Sequence, residues 1–474
     1  MNTNTKLTLL IGYFLIAFGC QNSNPNQGII DEPESQSEYS ELFHLKKPEI
    51  RKDSIFIPPS QSDSVFYKEL RNTIDSIADE GGGTLVFESG TYEIDGPIHL
   101  KSGVELHLKK GAILNFSSEP RDYLPSVKVR WEGTVCYNHS PLIYGIGLKN
   151  IAITGKGIID GNGVEWSKEW RKKQKPDKKR LRQMGNDTIP DEQRVFGNGF
   201  LDLDGDGEDD GYGDGEQHYL RPTLIEFYEC ENILIEGVTI KDSPFWTVHP
   251  VFSKNIVIRD LIVDGTTLND DGVDPDSCED VLIENCTIRT HDDAISIKAG
   301  RDQDAWNRPG SKNILVRNNR LESGVNAFCI GSEMSGGVSD VFVINNQVSG
   351  GKHAVNFKCN LDRGGAVERI IIDSLEVEST SGAMVIFKMN YKGWRGNEYP
   401  TTFRDFTLTN ISCDSVSGPA FEIVGVEQKP IENVTLRDVN VKYASEPLKI
   451  ERANNLEFEN VRVNGESVYP NLPK

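Results

Sequence analysis

The sequence has 474 residues and a formal charge of −21 at neutral pH. Phosphate binding needs a basic surface, so this charge argues against nucleic acid as a partner, and a site for an acidic polysaccharide must gather its basic residues locally. The length permits two or three domains or one elongated repeat domain.

The N-terminus has the features of an export signal. Lys6 precedes an apolar run, residues 7–19, which is too short to span a bilayer, and Cys20 follows it. This pattern resembles a bacterial lipoprotein signal, in which the cysteine is lipidated. We therefore expect residues 1–20 to be a signal peptide and the mature protein to be exported, as a periplasmic or outer-membrane lipoprotein of a bacterium. An ordinary cleaved signal is the alternative.

Residues 21–50 are polar and acidic and predict a flexible tether. A helix is predicted over Ser64–Asp79, ending at three consecutive glycines, Gly81 to Gly83.

Beyond this helix a short pattern recurs: Asn or Asp, then apolar–any–apolar, four variable residues and another apolar residue. Short strands repeated in this way indicate a solenoid, because stacked turns bury a core that one turn cannot. A β-propeller would need a more even period. The pattern predicts an all-β fold, a parallel β-helix, forming a single domain over residues 51–474. The copies begin at Asn150, Asn232, Asn255, Asp280, Asn313, Asp340, Arg369, Asp405, Asn433 and Asn455.

The cysteines after Cys20 show no CxxC pairs, which argues against a zinc site. Their number is odd, so they cannot all form disulfides, and we expect most to be small buried apolar residues. They are Cys136, Cys230, Cys278, Cys286, Cys329, Cys359 and Cys413.

A long gap between two copies of the repeat predicts an inserted loop at about 163–220. It contains a basic run, residues 171–182, and an acidic run, residues 202–215. The basic run is either a solvated face or a rim that attracts an anionic chain.

The acidic run suggests a structural calcium site. Asp202, Asp204 and Asp206 alternate ahead of a glycine, as in the start of an EF-hand loop, and Asp210 is a further candidate ligand. The glutamate expected at the twelfth place is replaced by Gly213. A solvated acidic loop is the alternative.

The candidate catalytic residues are three aspartates. Asp271 precedes the pair Asp292 and Asp293 by about one solenoid turn, so stacking at strand spacing, about 4.8 Å, would bring them together. Clustered carboxylates raise one another's pKa, which is costly without a purpose. Glycoside hydrolysis needs such a cluster, because one carboxyl must stay protonated as the acid while another stays ionised. Turn capping and cation binding are the alternatives.

The motifs around these aspartates resemble those of the polygalacturonase family, glycoside hydrolase family 28. Asn269-Asp270-Asp271 is similar to the family's Asn-Thr-Asp motif, and Asp292-Asp293 to its Asp-Asp motif. The stretches 243–250 and 331–337 resemble its bacterial, exo-acting branch. The resemblance implies a right-handed β-helix and hydrolysis with inversion. It also implies that Asp292 is the acid, that Asp271 and Asp293 activate water, and that catalysis uses no metal or other cofactor.

Two motifs depart from the family. Its Gly-His-Gly motif falls at residues 324–326, where Val325 or Asn326 replaces the histidine, and its Arg-Ile-Lys motif becomes Asn356-Phe357-Lys358. Arginine binds a carboxylate through two parallel hydrogen bonds, which asparagine cannot reproduce. The sugar bound at the cleavage site is therefore expected to differ from a plain galacturonate.

Further residues are candidates for substrate binding. Two nearby histidines could compensate for the lost one, and three tryptophans could stack on sugars, although core packing is the alternative for any aromatic. The candidates are Asn269, His291, Arg301, Asn326, Glu333, His353, Asn356 and Lys358, with Trp246, Trp306 and Trp394 as the tryptophans.

The sequence thus predicts a glycoside hydrolase that acts on an anionic pectic or algal polysaccharide or oligosaccharide. A polysaccharide lyase on the same scaffold is the first alternative, with Lys358 as its base. A non-catalytic glycan-binding protein is the second. The oligomeric state stays open.

Overall fold

The computed structural model describes residues 45–59, 64–391, 395–396 and 398–470. The predicted signal with Cys20, most of the predicted tether, and Trp394 lie outside these residues. Among the described residues, no helix has the length and apolarity needed to cross a bilayer.

Strands, nearly all of them parallel, make up about half of the described chain. In chain order they are β1 Ser54–Ile57, β2 Gly83–Phe87, β3 Gly90–Ile94, β4 Ile98–His99, β5 Val104–Leu108, β6 Ala112–Phe116, β7 Val127–Trp131, β8 Thr134–Asn138, β9 Ile143–Ile146, β10 Lys149–Gly155, β11 Ile158–Asp160, β12 Ile225–Tyr228, β13 Glu231–Glu236, β14 Thr239–Lys241, β15 Val248–Val251, β16 Lys254–Arg259, β17 Ile262–Asp264, β18 Glu279–Glu284, β19 Thr287–Thr290, β20 Ile295–Ile297, β21 Ser311–Arg317, β22 Arg320–Ser323, β23 Asn326–Ile330, β24 Val338–Gly350, β25 His353–Lys358, β26 Ala366–Thr380, β27 Val385–Lys388, β28 Thr402–Val424, β29 Ile431–Val441, β30 Ala444–Glu451, β31 Ala453–Val463 and β32 Glu466–Ser467.

Helical segments are few. They are the α-helices α1 Ser64–Asp79, α2 Arg171–Lys173, α3 Lys175–Asn186 and α4 Asp302–Ala305, the 3-10 turns Pro120–Tyr123 and Asp191–Gln193, and the π-helical turn Trp166–Trp170.

The strands stack into a parallel β-helix with three faces, which confirms the fold predicted from the repeats. One face contains β5, β10, β13, β16, β18 and β21, a second β6, β11, β14, β17, β19 and β22, and the third β4, β9, β12 and β15, continued by β20, β23, β25 and β27. The register aligns apolar residues turn upon turn: Ile233 pairs with Ile256, which pairs with Val281. All three are fully buried. Each such side chain contributes about 1.5–3 kcal/mol by leaving water.

The first residue of each repeat forms a polar ladder at one corner of the coil. The ten positions predicted from the pattern all have φ between 53° and 63°. Asparagine and aspartate tolerate this left-handed conformation better than other non-glycine residues. Their side chains also bond along the stack, as where Asn232 Nδ2 donates to Asn150 Oδ1 at 2.9 Å and Asn255 Nδ2 donates to Asn232 Oδ1 at 2.6 Å.

Helix α1 covers the first turns of the solenoid and begins and ends where the sequence predicted. Its apolar face, which includes Leu70, Ile74 and Ile77, is buried in the main core. The chain then turns through glycines with positive φ, and a Cβ on Gly82 would lie 2.3 Å from the carbonyl oxygen of Gly103. Solenoids need such a cap, because the first turn has no preceding turn to cover it.

Two segments leave the solenoid. The chain between β11 and β12 forms helices α2 and α3 and the acidic loop, and residues 127–138 form an antiparallel hairpin, β7 and β8. Leu181 and Gly185 of α3 are buried, and a Cβ on Gly185 would lie 2.8 Å from Thr134 Cγ2 in the hairpin. Helix α3 and the hairpin therefore pack tightly against each other.

The last residues of the predicted tether contact the polar ladder. Lys46 N donates to Asn255 Oδ1 and Asn255 Nδ2 donates to Lys46 O, both at 2.8 Å. Residues 45–50 have no regular secondary structure. These bonds nevertheless attach them to the solenoid, which the polar composition of the segment did not suggest.

The seven described cysteines are all buried and free. Their burial confirms the expectation that most are small core residues, whereas the odd number alone excluded only complete pairing. Cys278 and Cys286, for example, are each within hydrogen-bond distance of a backbone carbonyl through Sγ. They serve as small core residues at turns of the coil.

Candidate active site

Asp271, Asp292 and Asp293 meet on the third face of the solenoid. Gly272 N donates to Asp293 O at 2.9 Å, so the backbones that carry them are neighbouring turns. One carboxylate oxygen of each residue lies within 4.8 Å of those of the other two. The one-turn spacing in the sequence thus corresponds to a real carboxylate cluster.

Asp271 shares a buried lysine with Asp274. Lys298 Nζ lies 3.2 Å from Asp271 Oδ2 and 3.5 Å from Asp274 Oδ2. Burial raises the pKa of both carboxyls, and Lys298 acts in the opposite direction. Burial disfavours charge on Lys298 too, but Asp274 and Asp271 outweigh it and hold its pKa well above the usual range. One ammonium balances only one of the two carboxylates, and its shorter contact is with Asp271.

Asp293 is held by a second lysine and an amide. Lys358 Nζ lies 2.7 Å from Asp293 Oδ2, and Asn326 Nδ2 donates to Asp293 Oδ1. Asn356 Nδ2 in turn donates to Asn326 Oδ1 at 2.9 Å. The two asparagines at the departures from the family motifs therefore form a hydrogen-bonded chain behind Asp293.

Asp292 has a different environment. It is the member of the cluster that has no lysine or arginine in ion-pair contact within the described part of the chain. Asn269 Nδ2 donates to its Oδ2 at 3.1 Å, and Arg221 orients that amide through a 2.8 Å bond to Asn269 Oδ1. Burial and then the charge of Asp293 raise the pKa of Asp292. The pKa of Asp271 is raised as well, by burial and then by Asp274, but Lys298 contacts Asp271 and favours its ionised form. Among the residues described, Asp292 is thus the carboxyl of the three that no lysine or arginine opposes by direct contact in keeping a proton.

Asp270 supports the cluster from outside the pocket. Its Oδ1 accepts hydrogen bonds from His291 N at 2.8 Å and Asp292 N at 2.9 Å. These bonds tie the turn that carries Asp292 to the turn below. Asp270 is fully buried, and burial raises its pKa.

The hairpin between β7 and β8 places Glu132 at the rim of the pocket. Glu132 accepts hydrogen bonds from Lys178 Nζ at 2.5 Å and Arg182 Nη2 at 2.6 Å, which join the hairpin to α3. Burial acts to raise the pKa of Glu132, but these two cations lower it to about 2. The next residue, Gly133, has φ +80°. A Cβ added at this glycine would lie 3.0 Å from the backbone N of Arg301, so the hairpin passes close to Arg301 here.

A second ion-pair group adjoins Glu132, since Arg301 Nη2 lies 3.8 Å from Glu132 Oε2. Glu333 pairs with Arg301 and lies 3.5 Å from Arg363 Nη2. Burial acts to raise the pKa of Glu333, but Arg301 and other cations hold it well below its usual range. The pocket is lined by more cations than carboxylates, in a chain whose overall charge is strongly negative. The cations are Lys178, Arg182, Lys298, Arg301, Lys358 and Arg363.

The aromatic candidates occupy different places. Trp246 lines the pocket, and Lys298 Nζ lies 4.3 Å from the centroid of its ring. Trp306 instead packs on Tyr399 and donates its indole N–H to Arg363 O. Tyr391, which the sequence did not single out, also lines the pocket.

Neither candidate histidine lines the pocket. The His291 side chain is exposed, and its backbone makes the bond to Asp270. His353 is buried with Nδ1 2.9 Å from Ala383 O. Burial lowers the pKa of His353, which favours a neutral ring. The place of the lost histidine is therefore filled by Asn326 rather than by a nearby histidine.

The acidic loop brings Asp202, Asp204 and Asp206 within 4.8 Å of one another. Asp202 accepts hydrogen bonds from the backbone of Gly205 and Gly207, at 2.6 and 2.9 Å. Asp210 lies outside this group and accepts a bond from Leu203 N instead. The calcium site stays a prediction.

Several pocket residues were not identified from the sequence. Lys298 had a readable signal, because Ser296 and Lys298 alternate with the core residues Ile295 and Ile297 along one strand. Glu132 and Arg363 had none, since they come from a hairpin and a loop far away in the chain.

The chain is similar to proteins of a known family. The model of the family Glycosyl hydrolases family 28 matches residues 181–464, more than half of the chain. The chain belongs to this family. It is a glycoside hydrolase built on the family's right-handed parallel β-helix.

Individual proteins with a similar sequence or structure are consistent with this family assignment. The chain is 29% identical to an exo-poly-alpha-D-galacturonosidase of Dickeya chrysanthemi, over 77% of this chain and 64% of that protein. It is 27% identical to a probable polygalacturonase of Vitis vinifera, over 81% of this chain and 72% of that protein. The crystal structure of a hyperthermoactive exopolygalacturonase from Thermotoga maritima shares 33% identity and a TM-score of 0.79, covering 90% of this chain and 95% of that one.

Proposed function

We propose that this hydrolase removes galacturonate units from one end of a pectic chain. The observation that carries the proposal is the buried carboxylate cluster, in which two members have a lysine partner and the third is bonded by the Asn269 amide and the Asp293 backbone N–H without a lysine. The names of the Dickeya and Thermotoga relatives support the exo mode and the sugar.

In this proposal Asp292 is the general acid. Its pKa is raised by burial and by Asp293, so its proton is retained to higher pH than that of an ordinary carboxyl and can pass to the leaving oxygen. Asn269 donates to one oxygen of Asp292 and so orients the carboxyl without adding a countercharge.

Asp271 and Asp293 would hold and deprotonate the attacking water. Lys298 and Lys358 each favour the ionised form of the carboxylate they contact. As water becomes hydroxide and attacks the anomeric carbon, its proton passes to one of these carboxylates, while the proton of Asp292 passes to the departing sugar. A water, an acid and two carboxylates complete the step without a cofactor.

We propose that the anomeric configuration is inverted. In most inverting enzymes the two carboxyls lie about 6.5–9.5 Å apart, and in retaining enzymes about 5–5.5 Å. The oxygens here lie within 4.8 Å, so their spacing alone does not favour inversion. Membership of the family supports inversion instead, because the resemblance of these motifs to the family implies single displacement.

The pocket cations would bind the carboxylate of the sugar. Arg301 and Arg363 bring guanidinium groups to the pocket in place of the missing arginine. Arg363 is held by Asp302 and Ser332 and Arg301 by Glu333, so they would attract the sugar carboxylate mainly by their charge. The two arginines remove the main reason to expect a sugar other than galacturonate. Asn356 has its amide turned toward Asn326 and is not needed for that role.

Export and lipid anchoring through Cys20 are part of the proposal. A chain that degrades an external polymer must meet it outside the cytoplasm, and the signal-like residues 1–20 support this. Changing Cys20 to Ser should move the protein from the membrane fraction to the soluble fraction. Equal membrane retention of the variant would contradict the anchor.

The deciding experiment is incubation with oligogalacturonides, followed by mass spectrometry and proton NMR of the first products. We expect monogalacturonate with inverted configuration, formed equally well in EDTA. An unsaturated product absorbing in the ultraviolet would indicate the lyase alternative, which the hydrolase relatives do not support. Retained configuration would make one aspartate a nucleophile. No product from any galacturonide would overturn the proposed substrate.

A further inference from the structure

A cationic groove lies beside the catalytic pocket. It is formed by one face of α3, where Lys175, Lys179 and Arg182 follow one another at helical spacing, and by Arg301 and Arg395 opposite. We call these five residues the lysine groove. Its described lining includes one carboxylate, from Asp302. A groove so dominated by one charge is unexpected in a chain with a net charge of −21.

Two lysines of this groove have no acidic partner. Neither Lys175 nor Lys179 makes an ion pair or a side-chain hydrogen bond with any residue that the structure describes. Their neighbours on the same helix do, since Lys178 contacts Glu132 and Arg180 contacts Asp214. The helix therefore neutralises Lys178 and Arg180 and leaves Lys175 and Lys179 open to an external anion.

The groove is continuous with the catalytic pocket. Lys178, Arg182 and Arg301 line both. From Lys175 to Arg182 the helix rises roughly 10 Å, at about 1.5 Å per residue. The anion that fits here is thus an extension of the molecule bound in the pocket, longer than the one sugar at the cleaved bond.

The position of the groove is fixed rather than incidental. Leu181 and Gly185, on the other side of α3, are buried against the hairpin, and Glu132 bridges the hairpin to Lys178 and Arg182. A preformed site binds an anionic chain without the entropy cost of ordering its own backbone.

We infer that the lysine groove binds the carboxylates of the sugars that follow the cleaved unit along a polyuronate chain. This inference rests on the proposed function and adds to it a preference for longer substrates. The contacts lie away from the reacting carbon and are made equally in the ground and transition states. They should therefore act on KM more than on kcat.

The test compares Lys175→Gln/Lys179→Gln with Lys110→Gln. Lys110 is likewise exposed and without an ion pair among the described residues, but it lies in the turn between β5 and β6. Steady-state kinetics are measured on digalacturonate and pentagalacturonate. In the wild type, KM should fall as the substrate lengthens. Exposed charge pairs are weak, so the double variant should raise KM for the pentamer about 2- to 30-fold.

The decisive quantity is the ratio of the KM for the dimer to the KM for the pentamer. The double variant should lower this ratio, and Lys110→Gln should leave it at the wild-type value. Raising the salt concentration should lower the wild-type ratio as well, because screening weakens exposed charge contacts. A double variant whose ratio equals that of the wild type would overturn the groove while leaving the proposed function intact.

Failure of the proposed function is recognised separately. If the wild type hydrolyses no galacturonide, calorimetric titration with pentagalacturonate decides about the groove. Binding that weakens in the double variant and not in Lys110→Gln would support it. Absence of binding, or binding equal in all three proteins, would overturn it.

Discussion

Among the described residues, two groups of three carboxylates lie within 4.8 Å of one another, and their surroundings differ. Asp202, Asp204 and Asp206 lie on an exposed loop and accept hydrogen bonds from that loop's own backbone. Asp271 and Asp293, in the other group, are almost fully buried and contact lysines. Water screens the repulsion in the first group, whereas in the second it must be balanced by specific cations.

The comparison shows what burial adds to a cluster of like charges. In the pocket, members can differ in protonation because each has a different partner: a lysine, a lysine with an amide, or an amide without a lysine. On the loop the partners are alike, so no member is distinguished from its neighbours. A division into acid and base therefore depends on the partners of the carboxylates and not on their number.

The strongest test of this division is Asp292→Asn. The amide keeps the shape of the side chain but cannot donate a proton to the leaving oxygen as an acid does. We expect kcat to fall about 10²- to 10⁴-fold. The variant should still bind an oligogalacturonide, as measured by calorimetry. Turnover close to that of the wild type would remove Asp292 from the chemistry.

The next largest effect is expected at Lys298. Lys298→Met leaves Asp271 and Asp274 buried without their shared cation, and loss of one partner of a buried pair costs about 3–5 kcal/mol. The free energy of unfolding, from urea denaturation near neutral pH, measures this cost. Lys298→Met/Asp274→Asn should recover part of it, because Asp271 then no longer lies beside a second carboxyl. A double variant as unstable as the single one would show that Asp274 does not share the lysine.

Much of the fold could be predicted from the sequence, because the information is local and repeated. Each repeat has inward apolar positions, such as Ile233 and Ile256, and a polar corner position, such as Asn232 and Asn255. Pairing between neighbouring turns keeps these positions in register. The spacing between Asp271 and Asp292, about one turn of the solenoid, predicted the carboxylate cluster for the same reason.

The rest of the pocket depends on contacts that no repeat records. Glu132 reaches the site from a hairpin and Lys178 from an inserted helix, and neither segment follows the periodic pattern. The pattern also could not show that Asn326 donates to Asp293, since substitution of a motif residue does not reveal its new partner. Family motifs predicted the reacting groups, and only the structure supplied their countercharges.

A smaller effect is expected on the pH profile. Hydrolysis requires protonated Asp292, so the rate should fall as pH rises through the pKa of that carboxyl. Lys358 lowers this pKa, in opposition to burial and Asp293. Lys358→Met should therefore move the alkaline limb of kcat to higher pH, besides lowering kcat itself. Profiles measured at saturating substrate test the direction, and a limb at lower pH would contradict the assignment of the acid.

The smallest effect should come from the acidic loop. Asp204→Asn removes one of the three exposed carboxylates, but the amide oxygen can still accept the 3.1 Å bond from Asp206 N. In EDTA the free energy of unfolding should change by no more than about 0.5 kcal/mol, as is usual for exposed positions. The calcium site predicted from the sequence requires more once Ca²⁺ is added: the wild type should gain stability by mass action and the variant should gain less. If the unfolding midpoint of the wild type is the same in Ca²⁺ and in EDTA, the three aspartates form a solvated loop and bind no calcium. The two carboxylate groups would then differ through burial alone.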